Sequence, residues 1–350
     1  MKPKIIIFSG SRADFGLLKN ITLKLKKIKE IKTYLIFGSQ HFSKKFSNTF
    51  NEAKNEKIFY DYKINYKIKD TNYDHVISQI STNLKDINHL LKKINPDMCL
   101  LLGDRYEVYA FALCCYIKNI RLAHIHGGEL TEGSFDDGFR HSISKFSNIH
   151  FVSHSSHKKR LVQLGENPKM IFNFGAPGAE NALNLKKNSY SRKKNILITY
   201  HSQTKQNFFK DLKILNNIFK LIKKNKAHYY VFTNSNSDPG GIKLNKKINL
   251  FCSKNKKNCK NLYSKGHNAY LELMKNSEMV IGNSSSGIIE ASTLQIPCIN
   301  IGDRQKARTM SNNIINCDDK FNSLEKGFQK ALKIKKKKIK RIFYKKNTSL

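Results

Sequence analysis

Short apolar runs rich in Ile, Leu and Val alternate along the chain with longer stretches in which apolar residues recur at helical spacing. The short runs predict buried parallel strands, and the longer stretches predict the helices that cover such a sheet. In the first half of the chain, the predicted strands are 4–8, 33–37, 98–102, 121–125, 149–152 and 171–174. A loop is predicted at 9–16, and the predicted helices are 17–29, 75–94, 106–117 and 137–146.

The same alternation restarts in the second half, after a polar stretch at 176–194 that contains Pro and Gly. Its predicted strands are 195–200, 229–232, 248–251, 279–281 and 298–301, and its predicted helices are 206–224, 267–275 and 286–294. We therefore expect an N-terminal domain at 1–176 and a C-terminal domain at 177–350. The fold class is α/β, with two Rossmann-like parallel-sheet domains facing a cleft.

Polar clusters follow several predicted strands, and parallel sheets bind their ligands at the carboxyl ends of strands. After the first strand, Arg12 lies among small residues and can clamp a phosphate, although a tight turn with a surface Arg explains the same pattern. Asp104 ends a buried apolar strand, where a carboxylate is costly unless it is paired or functional. It is either an ion-pair partner of Arg105 or Arg140, or a catalytic carboxylate.

The densest cluster begins at the end of the fourth predicted strand and includes, within 18 positions, His124, His126, Glu129, Asp136, Asp137 and Arg140. His124 and His126 share one face of a strand, as metal ligands can, but no third ligand has suitable spacing and no metal is expected. Acid/base chemistry beside Arg140 is favoured. Asp136 and Asp137 also suit the first turn of a helix, so we expect only one of them to be catalytic.

In the second half, His201 directly follows a predicted strand. Ser284 and Ser285 precede a predicted helix, and small hydroxyl residues at such a position can hold a diphosphate. Glu290 lies further along that helix, on the side where a ribose can dock, and Arg304 adds a cation after the next strand. The competing interpretation is a helix cap followed by a buried helix.

Net charge is the most unusual feature of the composition: 64 Lys and Arg face 26 Asp and Glu, a formal charge of +38. Nine of the basic residues are Arg and 55 are Lys, whereas proteins that read nucleic acids depend on Arg. We interpret the excess as a Lys-coated enzyme surface and keep a basic nucleic-acid-binding protein as the alternative from another class. The basic run 333–346 is either a tail or the exposed face of a terminal helix.

Cysteine usage and hydropathy place the protein in the cytoplasm. The seven Cys are odd in number, form no Cys-x-x-Cys pair and lie mostly in apolar runs, which is typical of reduced, buried thiols. No stretch approaches 18 uninterrupted apolar residues, and the apolar run at the start is too short for a signal peptide. We therefore expect no membrane partner.

Six ordered motifs resemble those of the bacterial hydrolysing UDP-N-acetylglucosamine 2-epimerases, which have a glycosyltransferase-B-like fold. The similarity extends from about residue 3 to residue 318. The motifs are Ser-Arg-Ala-Asp-Phe-Gly (11–16), Leu-Gly-Asp-Arg-Tyr-Glu (102–107), His-Ile-His-Gly-Gly-Glu (124–129), Arg-His-Ser-Ile-Ser-Lys (140–145), Gly-Asn-Ser-Ser-Ser-Gly (282–287) and Asn-Ile-Gly-Asp-Arg-Gln-Lys (300–306).

The resemblance implies an enzyme of sialic acid or related nine-carbon sugar synthesis. It removes the proton at C2 of the sugar with loss of UDP, and water adds to the glycal to give free N-acetylmannosamine. No cofactor or metal is implied, the only partner is a UDP-sugar, and the assembly is a homodimer or homotetramer. By resemblance, the catalytic residues are Asp104, His126, Asp136, Arg140 and His201, and the nucleotide-binding residues are Arg12, Ser284, Ser285, Glu290 and Arg304.

Two positions and the end of the chain depart from the family pattern. His126 stands where many relatives carry Glu, and Ser202 follows His201 where the family commonly has Pro. The chain ends where relatives continue into a last helix that crosses back to the first domain, so we expect activity to suffer more than folding.

Three enzyme alternatives remain open: the same reaction on a UDP-2,4-diacetamido-2,4,6-trideoxyhexose, a glycosyltransferase of the same fold, and a non-hydrolysing epimerase. The transferase would need an acceptor and leave the UDP-sugar intact without one. The non-hydrolysing enzyme would return a UDP-sugar instead of a free one.

Overall fold

A computed structural model describes residues 2–42, 50–64, 72–185, 195–205, 207–236, 238–262 and 266–346. Within this part, the chain forms two compact units. The first comprises residues 1–129, 136–180 and 344–350, and the second comprises residues 130–135 and 181–343. The chain passes from the first unit to the second after residue 180, and the predicted boundary lies after residue 176. The short excursion at 130–135 was not predicted.

The described residues of the first unit contain a seven-stranded sheet, all of whose strand pairs are parallel, in the order β3-β2-β1-β4-β5-β6-β7. Its strands are β1 (Lys4–Ser9), β2 (Lys32–Phe37), β3 (Tyr62–Lys63), β4 (Met98–Leu102), β5 (Arg121–Ile125), β6 (Ile149–Val152) and β7 (Ile171–Asn173). The helices are α1 (Arg12–Lys27), α2 (Phe50–Asn55), α3 (Tyr73–Ile94), α4 (Tyr106–Ile117), α5 (Asp136–Phe146), α6 (Ser155–Gln163) and α7 (Pro177–Leu183), of which α7 spans the division between the units.

Both faces of this sheet are buried, which explains the unbroken apolar runs of its central strands. Along β1, Ile6 and Phe8 point to one core, where Phe8 stacks on Phe111 of α4 with ring centroids 4.8 Å apart. The intervening Ile7 points to the opposite core together with Phe15 of α1. Helices therefore cover the sheet on both sides.

The second unit repeats this design with a six-stranded parallel sheet in the order β10-β9-β8-β11-β12-β13. Its strands are β8 (Asn195–Thr199), β9 (Tyr229–Thr233), β10 (Cys259–Leu262), β11 (Ser277–Gly282), β12 (Cys298–Ile301) and β13 (Ile314–Cys317). The helices are α8 (Phe208–Lys224), α9 (Gly241–Lys254), α10 (His267–Lys275), α11 (Ser285–Ile288), α12 (Glu290–Thr293) and α13 (Phe321–Leu332). Each sheet reverses its strand order at its centre, the doubly wound arrangement of Rossmann folds. The predicted class of two parallel-sheet α/β domains is confirmed.

One predicted strand is wrong. Residues 248–251 belong to α9, and the strand of this region is β10. Leu244, Ile248 and Cys252 are all buried at a spacing of four, which is the period of a helix face. A short apolar run cannot by itself separate a buried strand from a buried helix face.

The start of α1 also differs from the prediction, because residues 12–16 are helical rather than a loop. The Oδ2 atom of Asp14 accepts hydrogen bonds from the backbone N–H groups of Gly10 (3.1 Å) and Ser11 (2.8 Å), so the helix is capped at Ser11. In the second unit, the single helix predicted at 286–294 is divided at Ile289 into α11 and α12.

The basic run at 333–346 is neither a free tail nor the face of a terminal helix. Up to residue 343 it is largely irregular and packs within the second unit through the buried side chains of Ile339 and Phe343, and residues 344–346 belong to the first unit. Arg341 Nε donates to the carbonyl oxygen of Thr293 at 2.9 Å. The lysines of this run therefore belong to a segment that is fixed by buried side chains and hydrogen bonds. Among the described helices, none is long and apolar enough to cross a membrane.

Candidate active site

Predicted polar residues of the first unit lie at the carboxyl ends of three neighbouring strands, β1, β4 and β5. Strand β4 lies between β1 and β5. The strand order reverses at β1, which lies between β2 and β4. Asp104 follows β4, His126 follows β5, and Arg12 opens the helix after β1. This is the edge at which doubly wound sheets bind ligands.

Asp104 is paired with Arg140, which resolves the choice between Arg105 and Arg140 as its partner. Arg140 Nη2 is hydrogen-bonded to Asp104 Oδ2, and the Arg140 side chain is 2% exposed. Arg140 Nη1 also donates to the carbonyl oxygen of Glu129 at 3.3 Å and lies 3.7 Å from Asp137 Oδ1. Burial lowers the pKa of Arg140, but the surrounding carboxylates outweigh it and raise the pKa overall, so the guanidinium stays charged.

His124 and His126 have different environments, although they are two positions apart. The His124 ring is fully buried between the carbonyl oxygen of Gly103, 2.7 Å from Nε2, and Ser144 Oγ, 3.1 Å from Nδ1. Burial lowers the pKa of His124 to about 3, so its ring is neutral and serves packing. His126 has a left-handed backbone (φ 68°), and its Nδ1 lies 2.6 Å from Glu129 Oε1.

No group of three His, Cys, Asp or Glu side chains suited to a metal occurs in the part of the chain that the structure describes. The two histidines do not share a face as a regular strand would dictate, because His126 leaves the strand at its left-handed turn. The ring of His126 contacts a carboxylate instead, an arrangement suited to proton transfer.

Asp14 and Glu107 are buried carboxylates of the first unit that did not enter the predicted site. Burial raises the pKa of Asp14 to about 6. Glu107, on α4, is fully buried; it is hydrogen-bonded to Gln40 and accepts from Arg105 Nε at 3.2 Å. Asp14 has a recognisable signal, since it stands three residues after Ser11 as in a helix cap. Gln40 meets Glu107 across 67 positions of sequence, a distance that no local pattern spans.

In the second unit, His201 is held at the end of β8 by Asn283, which follows the neighbouring β11. Asn283 Oδ1 accepts from the backbone N–H of His201, and its Nδ2 donates to the His201 carbonyl oxygen, both at 2.8 Å. His201 Nδ1 accepts from the backbone N–H of Asn236 at 3.2 Å. The Nδ1 atom is therefore unprotonated in this geometry, and Nε2 carries the ring proton.

Hydrogen bonds from both its backbone N–H and its guanidinium group hold Arg304 in place. The backbone N–H groups of Asp303 and Arg304 both donate to Gln203 Oε1, at 2.9 and 3.0 Å. The guanidinium donates to the Asn283 carbonyl oxygen at 3.2 Å and to Asp238 Oδ2 at 3.4 Å. Gln203 thus joins the loop after β8 to the loop after β12.

Asp211, on α8, is hydrogen-bonded to the loop after β8. Its buried carboxylate accepts hydrogen bonds from the hydroxyls of Tyr200 (2.8 Å) and Ser202 (2.7 Å) and from the Gln203 N–H (3.2 Å). Burial raises the pKa of Asp211. Ser202, which stands in place of the family's Pro, supplies a donor that Pro lacks. Neither Gln203 nor Asp211 was predicted to be part of the site.

The hydroxyl-rich segment after β11 is internally hydrogen-bonded. Ser284 caps α11, and its Oγ accepts from the Ser286 hydroxyl at 2.9 Å. The Ser286 hydroxyl also lies 2.6 Å from the hydroxyl of Tyr270, whose pKa burial raises to about 12. Ser285 is the first residue of α11, and Glu290 is a buried residue at the start of α12. The helix cap and the buried helix of the competing interpretation are therefore both present.

The structure brings the predicted residues into two groups, one in each unit. The first group lies in the first unit and contains Asp104, Arg140, Asp136, His126 and Arg12. The second group lies in the second unit and contains His201, Ser284, Ser285, Glu290 and Arg304. Asp136 opens α5, and Arg140 follows one turn later on the same helix.

Two doubly wound parallel sheets with polar residues at their strand ends define a glycosyltransferase-B-like fold. Comparison with known proteins gives the family. The profile of the UDP-N-acetylglucosamine 2-epimerase family matches residues 23–349, and the chain belongs to this family.

Two curated relatives cover most of the chain. A GDP/UDP-N,N'-diacetylbacillosamine 2-epimerase (hydrolysing) of Campylobacter jejuni is 37% identical over 94% of this chain and 87% of its own length. The polysialic acid biosynthesis protein P7 of Escherichia coli is 32% identical over 93% of this chain and 85% of its own length. The predicted resemblance to hydrolysing 2-epimerases is confirmed.

Among solved structures, the UDP-GlcNAc 2-epimerase of Methanocaldococcus jannaschii, crystallised with UDP-GlcNAc and UDP, matches with a TM-score of 0.84. The identity is 23%, and the match covers 99% of this chain and 97% of that one. At this identity the likeness supports the fold.

Proposed function

We propose that the protein is a hydrolysing 2-epimerase that converts a UDP-2-acetamido sugar and water into UDP and the free 2-epimer of the sugar. The observation that carries this proposal is the ion pair of the buried Arg140 with the partly exposed Asp104 at the end of β4, in a chain that belongs to the 2-epimerase family. A charged pair with a 2% exposed guanidinium is costly to bury, and an acid/base site is a reason to keep it.

The reaction balances as an elimination followed by a hydration. In the first step the C2–H and C1–O bonds break, a base takes the proton, UDP leaves with the electron pair of the C1–O bond, and a C1–C2 double bond forms. In the second step a hydroxyl from water adds to C1, and a proton adds to C2 from the face opposite to the one it left. One group must therefore act as a base and another as an acid on opposite faces of the ring.

We assign the proton transfers to the first group of residues. Asp104, Asp136 and His126 are the candidate acids and bases, and the permanent charge of Arg140 offsets the negative charge that collects around them. His126 and Asp104 end neighbouring strands, which suits two groups that act on one sugar ring.

We assign nucleotide binding mainly to the second group. Arg304 and the donors of the segment at Ser284 and Ser285 are suited to a diphosphate, and Glu290 to the ribose hydroxyls. In this proposal, His201 and Arg12 also contact the departing diphosphate. A cation or donor there lowers the barrier because negative charge develops on the leaving oxygen.

A UDP-2,4-diacetamido-2,4,6-trideoxyhexose is our first choice of substrate. The Campylobacter relative, which is named for a diacetamido sugar, is 37% identical, whereas the E. coli relative, which is named for polysialic acid synthesis, is 32% identical. UDP-N-acetylglucosamine, with N-acetylmannosamine as product, is the second candidate. Nothing in the fold or the relatives supports the nucleic-acid-binding alternative. We propose a cytoplasmic homodimer or homotetramer.

An assay of UDP release on both sugars, with identification of the free sugar by NMR, tests the proposal. Asp104→Asn should lower kcat by about 100-fold or more, since a positioned acid or base contributes about that much. Asp97→Asn is the matched control, because Asp97 lies at the opposite end of β4 and accepts from the Lys4 N–H at 2.7 Å. Equal activity of wild type and Asp104→Asn would reject the catalytic assignment, and UDP release from neither sugar would reject the proposed function.

A further inference from the structure

Glu129 is a fully buried carboxylate that neither group of predicted residues contains. It stands four residues after the end of β5. Burial of a carboxylate is costly unless hydrogen bonds or cations compensate it. The side chains that meet Glu129 therefore indicate what it does.

Two donors converge on one of its oxygens. His126 Nδ1 lies 2.6 Å from Glu129 Oε1, and the Ser153 hydroxyl donates to the same oxygen at 2.7 Å. His157 Nδ1 lies 3.1 Å from Ser153 Oγ and 3.9 Å from Glu129 Oε1. The four side chains form one buried network, the His126 network, in which only His126 belongs to the proposed acid/base group.

The backbone of the Gly127-Gly128 turn makes the contact between His126 and Glu129 possible. A Cβ on Gly127 would lie 3.0 Å from both the His124 ring and Ser144 Oγ. Gly128 has a φ of 72°, and a Cβ there would lie 2.5 Å from the carbonyl oxygen of His157. A side chain does not fit at Gly128, and one at Gly127 would require its neighbours to shift. The turn returns Glu129 to the ring three positions earlier.

The hydrogen bond to Glu129 determines which nitrogen of His126 is available for chemistry. A carboxylate accepts and does not donate, so Nδ1 carries a proton whenever the pair is intact. Nε2 then holds the free electron pair in the neutral ring and the second proton in the charged ring. Without Glu129 the ring could adopt either tautomer and rotate about its Cβ–Cγ bond.

Two arginines near the pair donate to backbone carbonyl oxygens of the same turn. Arg140 Nη1 donates to the Glu129 carbonyl oxygen at 3.3 Å, and Arg160 Nη1 donates to the Gly128 carbonyl oxygen at 2.6 Å. The His126 ring is 8% exposed, and the Glu129 side chain is 1% exposed. The carboxylate is thus shielded behind the ring whose orientation it sets.

We propose that Glu129 is a positioning residue that fixes the tautomer and orientation of His126, so that His126 Nε2 exchanges a proton with C2 of the sugar. This assignment rests on the proposed function and deepens it. It gives His126 the role of a proton-transfer group. Ser153 donates to the same carboxylate oxygen as His126, and His157 contacts Ser153.

The test uses the purified full chain with the UDP-sugar on which wild type releases UDP, both unlabelled and deuterated at C2. Glu129→Gln keeps the shape of the side chain but no longer requires a proton on Nδ1. We expect kcat to fall about 10- to 100-fold, as for other partners that orient a histidine, with little change in KM. The C2-deuterium isotope effect on kcat should rise, because proton transfer becomes more nearly rate-limiting.

A double-mutant cycle separates positioning from a general structural role. If Glu129 acts through His126, Glu129→Gln adds little further loss to His126→Asn. Losses that multiply, or an unchanged isotope effect in Glu129→Gln, would overturn the assignment. If Glu129→Gln does not fold, Ser153→Ala replaces it in the same cycle, with a smaller loss and the same criteria.

The His150–Glu166 pair is the matched control. His150 Nε2 lies 3.2 Å from Glu166 Oε2, so the chain offers a second buried histidine with a carboxylate partner, outside the proposed site. Glu166→Gln should leave both kcat and the isotope effect close to those of wild type. An effect equal to that of Glu129→Gln would reject positioning in favour of a general loss of structure. Absence of UDP release in wild type would instead refute the proposed function.

Discussion

Removal of the Asp211 carboxylate should destabilise the second unit strongly and weaken nucleotide binding. Asp211→Ala leaves three buried donors without their acceptor: the hydroxyls of Tyr200 and Ser202 and the backbone N–H of Gln203. Each buried group that loses its partner costs about 1–3 kcal/mol, and relaxation recovers part of this, so we expect a loss of about 3–6 kcal/mol. That is a large share of the roughly 5–15 kcal/mol that stabilises a typical protein.

Urea unfolding followed by circular dichroism measures the stability, and titration calorimetry with UDP measures the binding. Gln203 Oε1 accepts from the N–H groups of Asp303 and Arg304, so a released Gln203 should also weaken UDP affinity. Asp319→Ala is the control, since its partly exposed pair with Lys213 at 2.8 Å should contribute about 1 kcal/mol or less. A free energy of unfolding of Asp211→Ala within about 1 kcal/mol of wild type would refute this account of the network.

Two further predictions concern a glycine and a buried carboxylate. Gly133→Ala should lower the melting temperature and reduce kcat by about 10- to 100-fold, because a Cβ there overlaps the Asp303 carbonyl oxygen and the segment leads directly to Asp136. Gly138→Ala on α5, where a Cβ meets nothing within 4 Å, is the control, and a comparable loss in it would contradict the reasoning. Burial raises the pKa of Asp14 from 3.8 to about 6, so ionisation of this carboxyl costs folding stability. The stability contributed by the neutral carboxyl is present below pH 4 and is lost as the pH rises through about 6. Between pH 4 and 7 the unfolding free energy of wild type should therefore fall by about 3 kcal/mol more than that of Asp14→Asn, and parallel urea-unfolding profiles would contradict the shift.

The sheets and the strand-end residues were predictable from sequence because buried parallel strands appear as short apolar runs, and few other structures produce such runs repeatedly. Asp104, His126, His201 and Arg304 all follow such runs, and the structure has each at a carboxyl strand end. The run at 248–251 was wrongly predicted as a strand, since one face of a buried helix shows the same local composition.

The supporting contacts were not predictable, because they join positions that are distant in sequence or depend on backbone conformation. Gln203 reaches Arg304 across 101 positions. Glu129 is only three residues from His126, but their contact depends on a left-handed turn that the letters Gly-Gly permit without specifying. The residues 130–135 belong to the second unit for a similar reason, as the backbone N–H of Glu132 donates to the carbonyl oxygen of Lys306 at 3.2 Å.

The most direct test of the central claim is NMR of the reaction of a UDP-2,4-diacetamido-2,4,6-trideoxyhexose, and in parallel of UDP-N-acetylglucosamine, in D₂O. The account predicts UDP and a free sugar in equal amounts, with the configuration at C2 inverted and one deuterium bound there. Asp104→Asn should slow the appearance of both products by about 100-fold or more. A product still attached to UDP, or a free sugar that keeps its original C2 proton, would contradict elimination followed by hydration.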